Sequence, residues 1–63
     1  MPIVEVHLFE GRNGEQKRKL VSEMTRVICE VLDVKPEVVR IILDEMSKEN
    51  FAIAGTLVSE KKS

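Results

Sequence analysis

With 63 residues, 43% hydrophobic and only two aromatic, the chain predicts one small domain over residues 1–63, and a chain of this length buries only about 60% of the surface its unfolded form exposes. A net charge of -1 with scattered Lys and Arg gives no electrostatic footprint for nucleic acid, and a lone Cys29 and a lone His7 leave neither an internal disulfide nor a convincing metal site. No stretch approaches the apolar length of a membrane span and no signal-peptide pattern is present, so a cytoplasmic location and stabilisation by oligomerisation are expected.

Taken in chain order, Ile3 to Phe9 alternates as a strand, with Val4, Val6 and Leu8 on one face and Ile3, Glu5, His7 and Phe9 on the other. Pro2, just before it, suits the first position of an edge strand. If Met1 is removed, the same residue exposes a secondary amine held rigid by its ring. Burial among cations would keep that amine poorly protonated and available as a general base or nucleophile.

The run Glu10-Gly11-Arg12-Asn13-Gly14 breaks the strand, and Asn13 with Gln16 three residues on has the form of a capping box. From about Glu15 to Leu32, the residues Leu20, Val21, Met24, Val27, Ile28, Val31 and Leu32 fall on one helical stripe. Charged residues occupy the opposite side, so the helix covers something apolar on one face. Lys17, Arg18 and Lys19 read as a solvated face of this helix. Pro36-Glu37-Val38 predicts a turn, and Val38 to Asp44 a second strand. Strand, helix and strand make a βαβ unit with parallel strands, an α/β (α+β) class.

Phe51 to Val58 is small and apolar and predicts a short hairpin or arm, expected to dress a neighbouring subunit because two strands leave sheet edges open. Ser59 to Ser63 reads as a frayed polar tail.

Two arginines draw attention. Arg40 stands inside an apolar strand, where it either pairs with Asp44 or Glu45, takes an exposed edge position, or binds a ligand; Arg12 is either a solvated loop residue or a second ligand group. Guanidinium groups grip carboxylates bidentately, and cations beside an amine lower its ordinary pKa of about 8. His7 on its alternating strand reads as a structural or interface histidine, and Cys29 as a small buried hydrophobe.

Together, Pro2 after Met1, His7-Leu8-Phe9-Glu10-Gly11-Arg12, Glu15-Gln16-Lys17, Val39-Arg40-Ile41-Ile42, Glu45-Met46 and Asn50-Phe51-Ala52-Ile53-Ala54-Gly55 resemble the 4-oxalocrotonate tautomerase family over essentially the whole chain. That resemblance implies a βαβ protomer in a homohexamer, a trimer of dimers, with Pro2 as general base and no metal or organic cofactor. It implies Arg12 on the distal carboxylate of a small dicarboxylate or keto-enol acid substrate, and Arg40 of another subunit on the 2-oxygen and its adjacent carboxylate. Phe51 is implied as the aromatic wall that keeps the proline in a low-dielectric setting. Ala52 and Ala54 stand where the family often shows glycines, and Leu8-Phe9 also departs from its pattern.

Two other readings stay open at this point. One uses the same scaffold for hydration, dehalogenation or decarboxylation of a short unsaturated acid, and the other is a non-catalytic oligomeric interaction module. The second predicts that Pro2, Arg12 and Arg40 are individually dispensable.

Overall fold

The computed structural model describes residues 1–61. Strand β1 runs Ile3–Phe9, helix α1 Gly14–Leu32 and strand β2 Arg40–Met46, followed by the two-residue strands β3, Ala52–Ile53, and β4, Thr56–Leu57. β1 and β2 pair in parallel, with Ile3 opposite Arg40 and Phe9 opposite Met46, while β3 and β4 form an antiparallel hairpin.

Local chemistry sets these boundaries. Asn13 Oδ1 accepts from the Gln16 amide at 2.8 Å and Gln16 Oε1 accepts from the Asn13 amide at 3.2 Å, so the expected capping box starts α1. The helix stops at Asp33, which turns left-handed at φ 55° and donates its amide to the Cys29 carbonyl. Pro36 then fixes a 3-10 turn over Pro36–Val38, and this turn delays β2 by two residues relative to the strand expected from Val38. Arg40 is therefore the exposed first residue of β2 rather than a charge inside it.

The β3–β4 hairpin turns through Ala54 and Gly55, both at positive φ (53° and 82°), the twist a two-residue connection needs. Glycine adopts this conformation freely and alanine does so at a cost. Of the polar tail expected over 59–63, residues 62 and 63 lie outside the described residues, and Val58–Glu60 closes as another 3-10 turn.

The helix lies against one sheet face, where Val4, Val6, Leu8, Ile41 and Leu43 are half-buried beneath Leu20, Val21, Met24 and Ile28. Lys17 ties the start of α1 to Glu45 of β2 at 2.6 Å. The apolar stripe is wider than this contact. Val27, Val31 and Leu32, expected in the covered stripe, are 46%, 73% and 55% exposed, because a two-stranded sheet is too narrow to reach them.

The other sheet face carries Ile3, Glu5, His7, Phe9, Arg40, Ile42, Asp44 and Met46 and has nothing packed over most of its length. With a thickness of 15 Å, the chain is one helix layer on one sheet layer, and no side chain among the described residues is buried. Ordering each residue costs about 1–2 kcal/mol of backbone entropy, and half-covered side chains return only part of it.

Candidate active site

Pro2 stands immediately before β1, where its carbonyl accepts the Arg40 amide at 3.0 Å. The parallel register thus fixes Pro2 beside the first residue of β2. Met1 is 69% exposed and acylates the Pro2 nitrogen in the full-length chain. The Arg40 guanidinium folds back on its own approach, donating through Nη1 to the Glu37 and Val39 carbonyls.

An ion pair between Arg40 and Asp44 or Glu45, one of the sequence alternatives, does not form. Asp44 is four residues along the same face, about 13 Å away at strand rise, and binds His7 Nδ1 at 2.9 Å. Glu45 points to the helix side and binds Lys17. Arg40 instead takes the exposed position at the start of the strand.

At the far end of the sheet, Arg12 Nη1 donates to the Phe9 carbonyl at 3.1 Å, which draws the loop after β1 back toward the strand. A 3-10 turn over Lys48–Asn50, capped by Ser47 Oγ on the Glu49 amide, delivers Phe51 to the same place. The Phe51 carbonyl accepts the Val58 amide at 2.8 Å, so the chain beyond the hairpin pins its backbone. The two phenyl rings meet edge to face, centroids 5.6 Å apart and planes at 77°. They wall a cavity of about 230 Å³ lined also by His7, Leu8 and Met46.

His7 lines that cavity while its nitrogens face carboxylates, Asp44 at 2.9 Å and Glu5 at 3.6 Å. These contacts match the structural histidine expected from the alternation.

The chain therefore brings Pro2 beside Arg40 through backbone, and Arg12 and Phe51 to a common neighbour, Phe9. It does not bring the four together. The seven residues of β1 separate the two pairs by about 23 Å. Among the described residues neither Arg12 nor Arg40 has a carboxylate partner, so both guanidinium groups retain donors for a ligand.

Phe9, which contacts both Arg12 and Phe51, is not among the residues the sequence singles out. The sequence offers one signal, that Phe9 and Phe51 are its two aromatic side chains; the register that sets Phe9 opposite Met46, five residues before Phe51, comes from the fold. Strand alternation alone could not show that the intervening turn folds Phe51 back.

The βαβ fold has close counterparts among known proteins. A family model described as "Tautomerase enzyme" matches residues 2–61, and the chain belongs to that family. A 2-hydroxymuconate tautomerase of Pseudomonas putida is 45% identical over 60 residues, 95% of both chains. A crystal structure of a homologue of 4-oxalocrotonate tautomerase superposes with a TM-score of 0.92 at 36% identity, covering 97% of this chain and 100% of that one. A heterohexameric 4-oxalocrotonate tautomerase from Chloroflexus aurantiacus matches with a TM-score of 0.89 at 26% identity, covering 98% and 100%. Family and relatives support an isomerase-type activity, and the family resemblance read from the sequence holds.

Proposed function

We propose that this chain ketonises 2-hydroxydienoate acids of the 2-hydroxymuconate type, acting as one domain within a homohexamer. The observation that carries the reading is the 45% identity to a 2-hydroxymuconate tautomerase over nearly the full length of both chains. The fold adds support from another direction: the proposed site residues lie toward opposite ends of one strand, and Val27, Val31 and Leu32 of the helix and Ile3 and Ile42 of the open sheet face are exposed.

In this mechanism Met1 is removed and the Pro2 nitrogen takes the proton from the 2-hydroxyl. Electrons move along the conjugated chain, the C–O bond becomes a carbonyl, and the prolinium returns the proton to a carbon further along, giving the enone. Arg40 of another copy holds the 2-oxygen and its adjacent carboxylate as negative charge develops there. Arg12 grips the distal carboxylate as a bidentate donor. Phe51 lines the apolar stretch between them, and exclusion of water there, together with the two cations, favours the neutral amine.

The test is intact mass together with a pH–rate profile. Cell-made protein should lack Met1, and kcat/KM for ketonisation should rise with pH through a single ionisation below the ordinary range of a terminal amine. Retention of Met1 in fully active protein, or a rate controlled only above about pH 9, would remove Pro2 from the mechanism.

A further inference from the structure

The chain spends both of its aromatic side chains on one contact. Phe9 ends β1, Phe51 follows the 3-10 turn beyond β2, and their rings meet at a corner of 77° that forms two walls of the cavity. Phe9 also holds Arg12, whose Nη1 reaches its carbonyl at 3.1 Å, and the Lys48 ammonium sits 6.0 Å from its ring centroid, at the outer limit of a cation–π contact. One residue thus touches the proposed distal-carboxylate group with its backbone and the proposed pocket aromatic with its side chain.

That double contact has a physical consequence. Phe51 is 40% exposed, and a ring so placed would sample several rotamers if nothing met its edge. The edge-to-face contact selects one of them and with it the width of the corner.

Resting on the tautomerase reading above, we propose that Phe9 is a positioning residue for substrate shape: by bracing Phe51 it keeps the corner narrow, admitting a flat, unbranched unsaturated acid and turning away an enol acid that carries an aryl group. A leucine at this position removes the ring edge, frees Phe51 and widens the corner. The Arg12 anchor, being a backbone carbonyl, survives the change, so the effect falls on shape selection rather than on carboxylate binding.

The experiment measures kcat/KM for two acids, a linear 2-hydroxydienoate dicarboxylate and a 3-aryl-2-hydroxyacrylate, on the same preparations of wild type, Phe9→Leu, Phe9→Tyr, Phe51→Leu and the double variant Phe9→Leu/Phe51→Leu. The ratio of the two activities is the readout, because loss of folded or assembled protein lowers both alike. Phe9→Leu should shift the ratio toward the aryl acid by about tenfold, the scale on which pockets discriminate by small changes in volume. Phe9→Tyr, which keeps the ring, should stay within about twofold of wild type. The double variant should shift no further than Phe51→Leu alone, since the two changes act through one ring.

An unchanged ratio in Phe9→Leu, or a double variant whose shift is the product of the single shifts, overturns the role assigned to Phe9. If wild type ketonises the linear acid while the ratio stays put, this inference alone falls. If wild type turns over neither acid, the functional reading falls and takes the inference with it.

Discussion

The two ends of the β1–β2 sheet are built differently. At the start of the strands, Pro2 and Arg40 are joined only through backbone, and the guanidinium folds back on its own turn. At the other end, the Arg12 side chain donates to the Phe9 carbonyl, and the Phe9 and Phe51 rings meet edge to face and wall an apolar cavity. One end holds the candidate base, Pro2, and the other the cavity between the two phenyl rings. Neither end is a site alone, and a strand of seven residues cannot bring them together. The chemistry proposed here accordingly belongs to an assembly in which the ends of different copies meet.

Breaking the base should have the largest effect. Pro2→Ala keeps a primary amine but loses the ring-held secondary one, and ketonisation should fall about 10²- to 10⁴-fold, the usual contribution of a positioned general base. Circular dichroism should be unchanged, and full activity would show that the proline end is not catalytic.

Arg12→Ala and Arg40→Ala come next, each lowering kcat/KM by roughly 10²-fold, as loss of a charge-assisted hydrogen bond does. The two should differ in kind. Arg12→Ala should act mainly on KM and Arg40→Ala mainly on kcat, since in the proposed mechanism only Arg40 faces the oxygen where charge develops.

Assembly can be attacked without touching either end. Met24, Val27 and Ile28 border an apolar groove on α1, and Val27→Glu would bury an unpaired charge wherever a second copy covers it. Light scattering should show single chains, with ketonisation lost in proportion. An active single-chain form would contradict the shared site.

The smallest effects belong to local structure. Asn13→Ala removes one half of the capping box and should cost about 1 kcal/mol in a denaturant melt. Ala54→Gly relieves a left-handed alanine in the hairpin turn and should gain about 0.5 kcal/mol, the strain relieved less the entropy glycine loses. Activity per assembled protein should be unchanged in Asn13→Ala.

Much of this architecture was legible in the residues. β1 begins at Ile3 and ends at Phe9 as its alternation indicates, and Asn13 with Gln16 caps the helix where the motif places it. Such features depend on neighbours within a few positions. The start of β2 was misplaced by two residues because Pro36 does not merely end a segment; it nucleates a 3-10 turn that consumes Val38. The exposed part of the helical stripe was not legible either, since periodicity marks every apolar position but does not give the width of the surface opposite. The Phe9–Phe51 contact depends on strand register and a turn together, which no local pattern contains. The proposed site positions Pro2, Arg12, Arg40 and Phe51 are each visible as residues, but their division between two ends of the sheet emerges only with the fold.

Mixing inactive variants tests that division most directly. Pro2→Ala and Arg12→Ala chains, each with little ketonisation alone when substrate is held far below KM, are unfolded together, refolded at equal concentration and assayed under that condition. If each site takes Pro2 from one copy and Arg12 from another, random assembly should restore about a quarter of wild-type activity. No recovery, in mixed assemblies verified by mass, would place both residues of a site on one chain and contradict the account.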